Sequence, residues 1–565
     1  MKRSVGLIAA IVVLASALSG CSAGDAPKFI AGSKLTIGLQ APVQNLNSGV
    51  ATNLASISSA KEIAYLTMPS FYSPDSAGVL QPNTDFGSVK LVGSNKVKYS
   101  LTGKARWTDG QPVTGRDLNL SVLAATSRYD PVSQSGFNSY LRFTSLAGAR
   151  ASAVNETGLT LTYKHLPADW QTNLPVTIAA HLVSARAGEE QTPDAETETN
   201  YSKNTALLLN GVPNVTSANK LATAGAYKIV KASSKQILLV HNPEFTWGPA
   251  ATIDKLTVKA FSDAAGLLQA IKSKQVDLAS PVESTSANRA QIKDATAASG
   301  GNLTEGIGPF NESILLNHGL GSAFNSASYN GDAKKTELLS SAFLNLIPRA
   351  GIYSTLLSTS AMNKTDSFAF AFGTSDYAAS IQQNGTANHQ FQNAELAQEK
   401  WQRAGFSRTI KIRVLFDSEN PRGQLEYTQL AQWGKISGFT IQNVAGDDVY
   451  QVLQSGAWDV YLATLPRLSA DAGSISELTG SLNGLGVAAV TDLASKLGRN
   501  PESPTKSATL SALDKKLIAN YVGLPVFELP SMLFTSKRCA GFKPSLNQQF
   551  TTWGYPYWSV SAVAK

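Results

Sequence analysis

The chain has 565 residues, 43% of them hydrophobic, with 48 lysines and arginines against 40 aspartates and glutamates. That length supports several domain-sized units around large cores. The mild positive charge is scattered, with no Lys/Arg run of the kind that follows a phosphate backbone, which argues against nucleic acid as a partner. Two cysteines, Cys21 and Cys539, supply no disulfide framework, and Cys539 is expected to sit buried as a small hydrophobe.

Residues 1–20 read as a removable signal. Lys2 and Arg3 give the positive start, and the apolar run from Val5 to Leu18 is too short to span a bilayer comfortably. It ends in Leu18-Ser19-Gly20-Cys21, which resembles the lipobox of bacterial lipoproteins and implies lipidation of Cys21. Removing Lys2 and Arg3 leaves 46 basic and 40 acidic residues, a net charge of +6. Residues 21–32, small and polar, read as a tether to the folded body.

Lys34–Gln40 is a first strand, with Leu35, Ile37 and Leu39 on one face, and Asn45–Ser58 reads as a polar loop. Val97, Tyr99 and Leu101 alternate as in a half-buried strand. Asp109-Gly110 then turns the chain, Pro112 fixes the exit, and Thr114 with Asp117 three residues on forms a capping box for a helix. A strand is expected near Leu159–Tyr163, and the acidic stretch Thr192–Lys203 reads as a surface connection. Gly225–Val230 and Ile237–Val240 form a hairpin; Ile253–Val258, a helix over Ala264–Lys274 and Val276–Ala279 add a strand–helix–strand unit. Glu312–Gly319 is an apolar strand. The series Ile410–Phe416, Gln424–Ser437, Phe439–Val444, Val449–Gly456 and Trp458–Ala463 alternates strand and helix before an apolar strand at Gly523–Phe527.

The wording of these stretches resembles one family. Arg106-Trp107-Thr108-Asp109-Gly110-Gln111-Pro112-Val113-Thr114 with Asp117, the Gly225-Ala226-Tyr227 strand, Asn242-Pro243-Glu244-Phe245 with Trp247, and the Val276-Asp277 strand resemble motifs of extracytoplasmic solute-binding proteins, family 5. These are the dipeptide- and oligopeptide-binding lipoproteins of ABC importers. Leu338–Ile352 and Ala394–Phe406 resemble two of its helices, although Ser340 and Pro348 replace an Arg and an Asp. The resemblance implies an α/β, two-lobed periplasmic-binding-protein-like fold of type II, hinged by two crossing segments. Lobe I would hold residues 33–312, with an inserted subdomain at about 60–203; lobe II would hold 313–522, and 523–565 would return to lobe I.

The same resemblance implies a monomer, lipid-anchored outside the cytoplasmic membrane, that captures peptides between its lobes and delivers them to a membrane permease and its ATPases. Family receptors carry Gly-Trp and then an Asp for the peptide's amino terminus after the strand that here is Trp458–Ala463. Thr464-Leu465 replace the Gly-Trp, and Asp471 falls near the Asp. Asp471 is therefore the candidate ammonium anchor, and Arg467 the candidate for a ligand carboxylate. Phe310 and Phe527 flank the crossings, and Thr52 and Asn53 lie in the first loop, as further candidates to line the cleft. A non-peptide solute such as a metal complex, an opine or an oligosaccharide, or a scaffold role without transport, are the alternatives.

No catalytic constellation is legible. His165, His181, His241, His318 and His389 are scattered without metal-ligand spacing, and no G-x-S-x-G elbow or P-loop occurs. Gly484–Ala489 fits G-x-G-x-x-A without a preceding strand and reads as a glycine-rich loop. Neither an enzyme nor a cofactor is expected.

Overall fold

The computed structural model describes residues 28–561, apart from 44–45, 47–53, 127–143, 183–220, 282–285, 358–363, 390–391, 419, 436–437, 447–448, 480–487, 500–504, 546 and 549. Cys21, Thr52, Asn53, Thr192–Lys203 and the Gly484–Gly486 loop lie outside the described residues.

In chain order the first half contributes β1 (Ile30–Leu39), β2 (Tyr72–Pro74), β3 (Leu80–Pro82), β4 (Gly87–Val92), β5 (Lys96–Leu101), β6 (Ala149–Asn155), β7 (Gly158–Tyr163), β8 (Tyr227–Ala232), β9 (Gln236–His241), β10 (Ile253–Ala260) and β11 (Leu278–Ala279). The second contributes β12 (Asn302–Leu316), β13 (Ile410–Leu415), β14 (Phe439–Asn443), β15 (Val460–Pro466), β16 (Gly523–Thr535), β17 (Cys539–Ala540) and β18 (Ser559–Val560). Ten strands join in one sheet of order β14-β13-β15-β12-β16-β11-β1-β10-β9-β8, and β4-β5-β7-β6 form a separate four-stranded sheet.

Two large cores define two lobes. The first gathers apolar side chains from Leu35 through Leu278 and closes with Leu533, Tyr555, Trp558 and Val560. The four-stranded sheet belongs to this core through Val97, Tyr99, Leu159 and Leu161. The second runs from Ile314 to Leu529 around β12, β13, β15 and β16. The long antiparallel pair β12·β16 passes from one lobe to the other, with its ladder shifted between Ile307 and Asn311 and again between Glu312 and Ser313.

The strand–turn–helix in lobe I forms for local reasons. Trp107 N donates to Gln111 O (2.8 Å), Gly110 N to Trp107 O (2.8 Å), and Gln111 N to Asp109 Oδ1 (3.2 Å). Gly110 takes a φ of +88°, which suits a residue without Cβ. The helix Gly115–Thr126 starts as the spacing predicts: Asp117 Oδ2 accepts from Thr114 N (2.6 Å), and Thr114 Oγ1 accepts from Arg116 N (3.3 Å). Burial raises the Asp117 carboxyl, opposed by the bonds it accepts from Ala180 N (2.7 Å), Thr114 N and Thr114 Oγ1 (3.1 Å).

Several elements differ from the sequence reading. The stretch read as a loop to Ser58 is helical from Leu54, in a helix Leu54–Thr67 whose Ile63 and Leu66 face the core. The expected helix Leu338–Ile352 is two helices, Ala333–Leu346 and Arg349–Leu357. Pro348 has no N–H for the ladder and disfavours helical backbone at Ile347, whose ψ is 119°. Asn420 caps the next long helix from Pro421, three residues before its expected start. Both crossing strands are longer than expected, because they pair with each other as far as Asn302↔Thr535. Cys539 is only partly buried; its Sγ sits 3.4 Å from Ser536 Oγ, and burial pushes the thiol up to about 11.

Candidate functional site

Beside the crossing strands the lobes touch through a strap. Trp170 Nε1, in the loop after β7, donates to Gly498 O (2.6 Å), and Ser495 Oγ donates to Leu166 O (3.0 Å). Both second-lobe partners sit on the helix Ala488–Arg499. Gly498 is required there: a Cβ would stand 2.5 Å from Pro167 O.

Next to the strap lies a cavity of about 330 Å³. Lobe I supplies nearly all of its wall. Tyr65 and Met68 come from the helix Leu54–Thr67 and the turn after it, Tyr72 from β2, Phe245 from the Asn242 turn, and Tyr555 from the C-terminal segment. Lobe II reaches in with Asp471, from the loop after β15. The cavity's charged side chains are Lys61, Asp169 and Asp471.

The aromatic wall is held from behind. Tyr65 and Tyr555 meet edge to face with centroids 5.9 Å apart, and Tyr555 OH donates to Pro249 O (2.8 Å). Glu62 clips the C-terminal segment onto the same helix, accepting from Thr551 N and Thr552 N, both at 2.9 Å. Burial still raises the Glu62 carboxyl above its ordinary value against these bonds. Burial, with the charges of Tyr555 and Tyr557 adding to it, pushes the Tyr65 phenol well up, so it stays a neutral donor at physiological pH.

Asp169 is fixed by a chain of neutral hydrogen bonds. Ser145 Oγ donates to Asp169 Oδ1 (2.7 Å), Asn173 Nδ2 donates to Ser145 Oγ (2.8 Å), and Tyr99 OH donates to Asn173 Oδ1 (3.1 Å). Asp169 is accessible only in part, and protein packs densely around it. That desolvation raises its carboxyl to about 7; the Ser145 bond opposes the rise and the Asp471 charge adds to it. On the other side Asp471 Oδ1 accepts from Gly473 N (2.9 Å), and Asp471 N donates to Arg467 O (2.8 Å).

Of the four described residues among the six that the sequence proposed for ligand contact, Asp471 alone lies in this wall. Arg467 is 2% exposed, with its Nη1 3.7 Å from Glu528 Oε1, so its charge is directed at a neighbouring strand. Phe527 is fully buried in the second core, and Phe310 packs against that core from its edge. Thr52 and Asn53 lie outside the described residues. Sequence reasoning missed Asp169 together with Ser145 and Asn173, since these meet only after the loop beyond β7 folds back. It also missed the aromatic wall, whose members are hundreds of residues apart. Among the described residues no group of three His, Cys, Asp or Glu side chains could hold a metal ion, and no helix is long and apolar enough to cross a membrane.

The chain belongs to the bacterial extracellular solute-binding proteins, family 5, whose model matches residues 93–482. Members of this family are the extracytoplasmic solute-binding proteins of ABC importers. Its structure is similar to that of the periplasmic EDTA-binding protein EppA, with a TM-score of 0.67 and 17% identity over 95% of this chain and 98% of that one. It is also similar to AgaA from A. tumefaciens R10, solved with agropinic acid (TM-score 0.67, 14% identity, 94% and 99% covered). A third is the oligopeptide-binding protein AppA from Bacillus subtilis, solved with a nonapeptide (TM-score 0.64, 12% identity, 95% and 100% covered). At these identities the likeness establishes the two-lobed fold. No curated protein sequence matches the chain.

Proposed function

We propose that this protein is the receptor of an ABC importer for peptides, holding a peptide's amino terminus at Asp471 inside the cavity between the lobes. The observation that carries the reading is the placement of Asp471: a second-lobe carboxylate in a cavity otherwise walled by lobe I. A ligand ammonium there would tie the lobes together through charge-assisted hydrogen bonds. The tyrosines, Phe245 and Met68 offer apolar area for side chains, a mixture suited to a small organic ligand. Two carboxylates in the wall disfavour strongly anionic ligands such as free EDTA. The protein's own side chains leave the cavity open, which supports capture over a scaffold role. The sequence reading adds a lipid anchor at Cys21, which would keep the receptor beside its permease.

Native mass spectrometry of the processed protein tests this. Extra masses that fragment as peptides would support the reading, and a single discrete non-peptide mass would replace the substrate. Bare protein whose melting temperature no peptide raises would overturn peptide capture.

A further inference from the structure

The four-stranded sheet of lobe I turns one face to the core, through Val97, Tyr99, Leu159 and Leu161, and the other to solvent. Alternation along each strand brings basic residues that are scattered in the sequence onto that outer face. Lys90 stands opposite Lys98, Lys96 opposite Thr162, and Thr162 opposite Arg150, and all four cations are exposed. No acid occupies an outward position of these rows, and most of the rest are serine or threonine. The acids at the rim are already engaged: Asp85 Oδ1 lies 2.9 Å from Lys104 Nζ, and Glu156 Oε1 lies 4.0 Å from Arg116 Nη2. Like charges directly opposite on neighbouring strands destabilise a sheet, so the fold carries the Lys90–Lys98 pair at a cost.

We propose that this basic face docks on anionic phospholipid, resting the protein on the outer surface of the membrane and setting the direction in which it stands. Charge complementarity decides the partner. A sheet face of four cations set among hydroxyls matches a layer of phosphodiester headgroups, which attract lysines and arginines without needing a shaped pocket. It lacks the buried aromatic anchors of a protein interface: Val92, at the edge strand, is the large apolar side chain exposed in these rows.

The sequence reading supplies the second half of such an attachment. It puts a lipid on Cys21, and the nine residues from there to Ile30 at the start of β1 reach at most about 30 Å. The body is then held close to the bilayer, and a face of modest affinity suffices, because tethering makes its contact intramolecular. Tyr99, on the inner side of the same sheet, donates from its hydroxyl to Asn173 in the cavity wall (3.1 Å). Docking would therefore hold the cavity just above the bilayer, with the sheet between them. The inference goes beyond the receptor reading and holds whichever solute the cavity takes.

Vesicle sedimentation of the chain from Ser22 to Lys565, which carries no lipid, tests this. The vesicles are phosphatidylcholine alone, or phosphatidylglycerol and phosphatidylcholine in a ratio of one to two. The protein should sediment with the anionic vesicles at low salt, stay free of the neutral ones, and be released by high salt. A basic residue near an anionic surface strengthens binding about fivefold. Lys90→Gln, Lys96→Gln and Lys98→Gln combined should therefore weaken it roughly 100-fold. Lys228→Gln, Lys231→Gln and Lys255→Gln combined remove the same charge from β8 and β10 of the ten-stranded sheet, and should weaken it less than about threefold. Melting temperatures close to wild type would show that both variants fold. Equal losses in the two would reveal a response to net charge alone and overturn the proposal. A wild type that sediments no better with anionic than with neutral vesicles would do the same. If vesicles are ignored while the first variant slows solute uptake by cells, the face serves a protein partner and the membrane contact falls. None of these failures touches the reading of the cavity.

Discussion

The two lobes differ in how they hold most of their buried charge. In lobe II, arginines and acids neutralise one another away from the cavity: Arg422 Nε lies 3.1 Å from Glu312 Oε2, Arg349 Nη2 2.7 Å from Asp366 Oδ1, and Arg413 Nε 2.9 Å from Asp459 Oδ2. Asp514 adds a buried carboxylate that accepts from Ser367, Phe368 N, Ser380 and Asn384. In lobe I the deeply set acids are met by neutral donors: Glu62 by two threonines, Asp117 by Thr114 and Ala180, and Asp169 by Ser145. The arginine–acid pairs of lobe II are internal ties, whereas Asp169 of lobe I is held by the neutral Ser145 in the cavity wall. A buried ion pair is thus a poor guide to a binding site. A partly accessible acid held by a neutral donor, standing in a cavity wall, is a better one.

The comparison breaks most sharply at Arg422. Arg422→Ala should cost about 3–5 kcal/mol in denaturant unfolding, because Glu312 would be left charged and buried without its partner. Glu426, fully buried and with neither carboxylate oxygen hydrogen-bonded among the described residues, should behave in the opposite way. Burial first and Glu312 second push its carboxyl well up, against the pull of Arg422. Glu426→Gln should therefore raise the melting temperature relative to wild type at alkaline pH and change it little near pH 5.

In lobe I, Trp107→Ala should cost about 3–5 kcal/mol for the aromatic volume lost from the core. Asp471→Asn should leave unfolding within about 0.5 kcal/mol and weaken an amine ligand by roughly 10–100-fold, the range of a charge-assisted hydrogen bond. The smallest effect belongs to the half-exposed pair Asp109 Oδ2···His181 Nε2 at 2.8 Å. Asp109→Asn should shift stability by less than about 1 kcal/mol.

What the sequence disclosed follows the range of the interactions. The turn at Asp109-Gly110 and the cap at Thr114 depend on contacts a few residues apart, and both stand where the local text puts them. The break at Pro348 is equally local, yet Leu338–Ile352 resembles a single helix of the family, in which an Asp stands where this chain has the proline. The full lengths of β12 and β16 were hidden because each defines the other across more than two hundred residues. The site divides the same way. Asp471 was reachable because it follows a recognisable strand. Asp169 sits in Leu166-Pro167-Ala168-Asp169-Trp170, a stretch with no periodicity, and gains its character from Ser145, Asn173 and a loop three hundred residues away.

The single ten-stranded sheet also has a mechanical meaning. Because β12 and β16 run unbroken through both lobes, the lobes cannot swivel as bodies on a loose string; a change of angle must twist a shared ribbon. That ribbon is weakest where its rungs are missing, between Ile307 and Asn311, and Pro309 and Pro530, which have no N–H to donate, stand at this gap. It would act as a torsion spring whose soft turn is written into the chain by two prolines, with its stiffness set by the intact rungs on either side.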